Sequence, residues 1–154
     1  MTDVYERLKE LGLTLPSPPP KGGIYTPCRG FGENLYYISG CGPAIGQHSY
    51  TGKLGHDVDL EEGKKAARDS MLNVLSVLQA EIGDLNRVKQ VVKILTFVSS
   101  TPDFLEQPLV ANGGSELLRE LFGDEAGVPA RSAIGVPVLP GNIAVETEAI
   151  FEVK

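Results

Sequence analysis

The clearest pattern lies at the C-terminal end of the chain. Val145, Thr147, Ala149, Phe151 and Val153 alternate with Glu146, Glu148, Ile150 and Glu152, and a period of two belongs to a strand with one buried face, here over residues 144–153. Residues 88–98 (VKQVVKILTFV) are dense in β-branched side chains and too apolar for a solvated edge, which predicts a central strand. Upstream of it the period changes. Leu60, Ala67, Met71, Val74 and then Val77 or Leu78 recur at steps of three and four, the spacing of one helix face. Asp59 and Glu62 make a capping-box pair at its start, and Gly83 suits its end. A helix of about 22 residues is predicted between them.

The remaining segments carry weaker patterns. Val4, Leu8 and Leu11 mark a short helix in an N-terminal arm, residues 1–22. Its proline run, LPSPPPKGG, lacks amide donors and reads as an extended connector into a domain spanning residues 23–154. Residues 24–29 and 34–39 read as two strands around a Gly-Phe-Gly-Glu turn, and a glycine-rich loop follows over 40–58, long enough to be functional or mobile. Thr101 and Pro102 are expected to open a helical segment. Pro108 and the Gly113-Gly114 pair would interrupt it, and Ser115 would cap a second piece over 116–122. A strand over 131–138 joins the last one through Leu-Pro-Gly-Asn, and these two are expected to be antiparallel neighbours. The order β-β-α-β-α-β-β predicts an α/β (α+β) domain, one mixed sheet with both helices on one face. The other face then needs a different cover.

Composition narrows the function classes. The 154 residues carry a net charge of −6, and no cluster of Lys and Arg offers a groove to a phosphate backbone, so nucleic acid is not an expected partner. No run approaches about 18 apolar residues and the start, MTDVYERLKELG, has no signal-peptide core, so no membrane is expected and the predicted location is cytoplasmic. Cys28 and Cys41 lie outside any C-x-x-C and read as reduced thiols, an inter-strand disulfide being the alternative. His48 and His56, with Asp57, are too loose a set for a metal site. The 18 Gly and 11 Pro exceed the globular average.

Two kinds of residue carry candidate chemistry. Arg131 opens a strand after Val-Pro-Ala, where a guanidinium can clamp a carboxylate with two parallel hydrogen bonds; a surface arginine paired with a local acid is the plainer reading. Glu146 and Glu148 share the polar side of the last strand, either as solvated acids or, if the strand pairing brings them near Arg131, as reactive ones.

Together these segments resemble the Rid family of imine deaminases, also called the YjgF or endoribonuclease L-PSP family. The resemblance runs from about Gly23 to Lys154 and rests on Pro129-Ala130-Arg131-Ser132-Ala133, Leu139-Pro140 and Val145-Glu146-Thr147-Glu148-Ala149-Ile150. Leu35 to Gly40 resembles the family's strand ending in Ser-Gly, and Gly23-Ile24-Tyr25 its pocket tyrosine segment. The resemblance implies a chorismate-mutase-like fold in a homotrimer with ligand clefts between subunits. It also implies that Arg131 binds the carboxylate of a 2-imino acid and that Glu146 orients the attacking water, releasing ammonia and a 2-oxo acid without a cofactor. Tyr25, Ser39, Gly40 and Ala133 would line the cleft, and the family's pocket asparagine falls at Ser115 or, with a gap, at Asn112. A non-catalytic trimer that binds small carboxylates in regulation or protection is the alternative reading, since both use Arg131.

Overall fold

A computed structural model describes residues 2–154 of the chain. Its elements are α1 (Val4–Glu10), β1 (Cys28–Phe31), β2 (Leu35–Cys41), α2 (Leu60–Ile82), β3 (Val88–Ser99), α3 (Gln107–Ala126), β4 (Ala130–Val136) and β5 (Val145–Val153). The strands form one mixed sheet in the order β1-β2-β5-β3-β4. Its helices pack on one side, giving the expected α+β architecture, with α1 as a third helix against α3.

Local signals explain the best-predicted elements. The Asp59 side chain accepts from the Glu62 amide while the Glu62 carboxylate accepts from the Asp59 amide, a complete capping box, and Gly83 ends α2 at φ +87°. Alternate residues of β5 are buried in the predicted order, with Phe151 fully enclosed. Val4 and Leu8 of the N-terminal arm are buried in the main core with Met71, Leu75 and Leu78 of α2. The glycine-rich loop is anchored as well. Leu54 and Val58 enter a second core cluster with Val98 and Val110, and the Asn73 amide donates to the carbonyls of Gly42 and Ala44.

Three expectations are corrected. First, β4 and β5 are not neighbours: β4 pairs only with β3, in parallel, while β5 lies antiparallel between β2 and β3. A parallel pair needs a crossover, which α3 supplies, so the Leu-Pro-Gly-Asn turn carries the chain past β3 instead of closing a hairpin. Second, no helix begins at Thr101; its hydroxyl donates to Asp103 in a turn, and α3 starts at Gln107 with Pro108 in its first turn. The two helical pieces are one helix, and the Gly113-Gly114 pair lies inside it facing α2. These glycines allow close helix approach where a break was expected. Third, β1 begins only at Cys28 and contains Gly30 and Phe31, which leaves Gly32, Glu33 and Asn34 as the turn.

Candidate active site

Strand pairing decides which side chains can meet. Arg131 is in register with Ile94, and Ile94 with Ala149; both partners are fully buried under the helices, so Arg131 points to the helix-covered face. Glu146 is in register with Phe97, and Phe97 with Ile134, a row on the face without helices. Arg131 and Glu146 therefore occupy opposite faces within one protomer, with β3 between their strands. The expected approach of Arg131 to a glutamate of the last strand does not occur within one chain.

Two separate groups result. In the first, Arg131 reaches α3, where its Nη1 donates to Asn112 Oδ1 at 2.7 Å and to Ser115 Oγ at 3.0 Å. Asn112 and Ser115 are three residues apart on one helix face, so both hold the arginine. Both acceptors are neutral, and among the described residues no carboxylate lies within 4.0 Å of Arg131. The guanidinium is thus oriented without being neutralised, and it borders a cavity of about 320 Å³ lined also by Glu116, Arg119, Val128 and Pro129. Ala133 lies two residues along β4, facing the same side as Arg131, and does not border that cavity.

The second group gathers at the other end of the sheet. Tyr25, Ser39 and Gly40 border a cavity of about 240 Å³ together with Pro19, Pro20 and Lys21 of the proline arm. The Tyr25 hydroxyl accepts from the Gly22 amide, and the Ser39 hydroxyl donates to the Thr26 carbonyl at 2.7 Å. Gly40 touches Glu146: a Cβ there would lie 2.9 Å from the Glu146 carboxyl carbon, so a larger residue would displace that carboxylate from its present position. Burial, and then the neighbouring Glu148 carboxylate, hold the Glu146 carboxyl above its ordinary pKa, the direction that suits a proton-transferring acid. Glu148 itself accepts from the Tyr37 hydroxyl at 3.0 Å.

Sequence reasoning missed Glu116 and Arg119, which border the Arg131 cavity. Their spacing from Asn112, four and seven residues along a helix, was the available signal. Among the described residues no three His, Cys, Asp or Glu side chains gather as metal ligands; the His48 ring packs edge-on against Tyr50 at 4.8 Å. Both cysteines are free. Burial pushes the Cys28 thiol up to about 11 and the Cys41 thiol, also beside Glu146, up to about 12. No helix is long and apolar enough to cross a membrane among these residues.

Comparison with known proteins places this geometry in context. Residues 5–150 match the family described as YjgF/chorismate-mutase-like, putative endoribonuclease. The protein TCP17 of Trypanosoma cruzi is 43% identical over 153 residues, covering 98% of this chain and 94% of the relative. The crystal structure of Atu1372 from Agrobacterium tumefaciens, a protein of unknown function, is 39% identical with a TM-score of 0.90, covering 98% of this chain and 92% of that one. A Shewanella oneidensis structure carrying the same endoribonuclease description is 31% identical, with a TM-score of 0.94 over 99% of this chain and 100% of that one. Against RidA from an Antarctic Psychrobacter the TM-score is 0.62 at 25% identity, over 91% and 96% of the two chains.

Proposed function

We propose that this chain, which belongs to the YjgF/chorismate-mutase-like family, hydrolyses 2-imino acids to 2-oxo acids and ammonia. Family membership, with RidA among the structural neighbours, supports a small-molecule-processing role in general. The observation that carries the finer reading is the Arg131 guanidinium, fixed by two neutral oxygens and turned to a cavity. A charge held in place but left unpaired is suited to the carboxylate of a small acid.

In this reading the clamp places the imine carbon near a water that Glu146 holds. The water's oxygen bonds to that carbon, the C=N electron pair moves to nitrogen and takes a proton, and the resulting carbinolamine expels ammonia as its hydroxyl becomes the carbonyl. The intrinsic chemistry is easy, so positioning and charge do most of what is required. Because Arg131 and Glu146 lie on opposite faces of one protomer, the reading requires them to meet across a subunit boundary, with the helix-free sheet face covered by another copy in a homotrimer. Tyr25, Ser39 and Gly40 then belong to the Glu146 side of the cleft, and Asn112 and Ser115 to the Arg131 side. The endoribonuclease part of the family description is not carried over, since a net charge of −6 opposes RNA phosphates.

The same separation of Arg131 from Glu146 favours one second reading, a binding protein that uses the clamp without turnover. Release of pyruvate and ammonia from 2-aminoacrylate decides between them. Arg131→Ala is expected to lower the rate at least about a hundredfold, the scale on which loss of a positioned charge is felt. An unchanged rate in that variant refutes the enzymatic reading, and saturable 2-oxo acid binding without turnover by the unaltered protein establishes the second.

A further inference from the structure

Arg119 stands one helical turn beyond Ser115 on α3 and borders the same cavity as Arg131. Its side chain is exposed, and among the described residues no carboxylate lies within 4.0 Å of it. Glu116, the one acid bordering the cavity, pairs with neither arginine. The cleft thus presents two guanidinium groups, one clamped and one free. We infer that Arg119 is a specificity residue that binds a second anionic group, so that the site selects 2-oxo and 2-imino acids carrying a side-chain carboxylate.

This assignment rests on the reading of Arg131 as a carboxylate clamp and extends it. Arg131 is tied at Ser115, and the four residues from Ser115 to Arg119 rise about 6 Å along the helix axis. Two carboxyl carbons in an extended four- or five-carbon diacid lie roughly 4–5 Å apart, from bonds of about 1.5 Å. The flexible Arg119 stem covers the difference, and its planar fork matches a carboxylate with two hydrogen bonds. A monocarboxylate would leave that fork to water. Arg119 also borders the groove between α1 and α3, but the groove's other arginine, Arg7, is already engaged by the Glu10 carboxylate and the Glu120 carbonyl.

Titration calorimetry with 2-oxoglutarate and 2-oxopentanoate, which share a five-carbon chain, tests the assignment on the full chain. The unaltered protein is expected to bind the diacid about fivefold tighter or more, given the strength of charge-assisted pairs. Arg119→Gln should bring that ratio to within about twofold of unity while Arg119→Lys retains part of it, as the remaining charge requires. A ratio near one in the unaltered protein, or one preserved in Arg119→Gln, overturns the role of Arg119 alone. Diacid binding that survives Arg131→Ala undiminished places the ligand in the α1–α3 groove and also overturns it. Failure of both acids to bind overturns the Arg131 reading along with it.

Discussion

Replacing Gly113 with alanine probes the closest approach of α2 and α3, on which the positions of Asn112 and Ser115 depend. A Cβ there would run into the Lys64 carbonyl oxygen first, with the carbonyl carbon of the same residue at 2.7 Å and its Cα at 3.0 Å. Ordinary contacts begin at 3.4 Å, and the shortfall is greatest at the carbonyl oxygen, so the helices must part by roughly an ångström or more, and the obstacle is backbone that cannot rotate away. Overpacking of this kind costs roughly 1–3 kcal/mol, and the better helix propensity of alanine returns about 1 kcal/mol. With a backbone carbonyl as the obstacle the cost lies at or above the upper end, leaving a net loss of about 2 kcal/mol or more. At about 2–4 °C per kcal/mol for a chain of this size, the Tm falls by roughly 4–8 °C or more. Gly114→Ala is the internal control. Its new Cβ would meet the Ala67 carbonyl oxygen at 3.2 Å and the Met71 Cβ at 3.4 Å, a misfit of a few tenths of an ångström that the propensity gain offsets. It should stay within about 0.5 kcal/mol of the unaltered protein. Thermal and urea unfolding of both variants, with unchanged m values, is the assay. Equal stability of Gly113→Ala and the unaltered protein, or a larger loss in Gly114→Ala, refutes the close-approach account.

Further predictions concern the titratable groups. Glu146→Gln should abolish imine hydrolysis while 2-oxo acid binding persists, and it should raise the Tm more at pH 7 than at pH 4. Folding raises this carboxyl's pKa, so its contribution to stability is full below the unfolded value and is lost as pH rises through the folded one. Calorimetric scans showing the larger gain at pH 4 contradict that sign. The thiols, pushed up to about 11 at Cys28 and about 12 at Cys41, hold roughly two hundredfold and two thousandfold less thiolate at pH 8 than free cysteine, whose pKa is near 8.5, and should react with a chromogenic disulfide correspondingly more slowly. Reaction of either at the free rate would show that burial does not suppress its thiolate.

What could be read from sequence follows the range of the interactions involved. The Asp59–Glu62 box, the Gly83 stop and the alternation of residues 145–153 are local signals, complete within a few residues, and the structure repeats them. The pairing of β4 with β3 is not local. A Pro-Gly turn has the same composition whether the chain folds back beside itself or crosses a neighbouring strand, so the strand beside Arg131 is β3 where the last strand was expected. Glycine has two uses, and Gly113 serves close packing where its letter reads equally as a break. Asn112 and Ser115 looked like rivals because a motif was aligned in one dimension, whereas a helix face shows both to the same guanidinium. Arg119 carries no motif, and its helical spacing from Asn112 gains meaning only once the shared cavity separates it from the other surface cations.

The clamp on Arg131 also bears on entropy. A free arginine side chain gives up about 2 kcal/mol of rotamer freedom when a ligand immobilises it. Here Asn112 and Ser115 have already restricted those rotamers during folding, with hydrogen bonds of 2.7 and 3.0 Å. In the proposed reading an arriving carboxylate would meet a donor array already ordered, so less ordering cost would oppose binding, and each 1.4 kcal/mol of it avoided is a factor of ten in affinity. If Arg131 is the carboxylate clamp proposed above, two uncharged side chains without any chemistry of their own set how tightly a small acid is held.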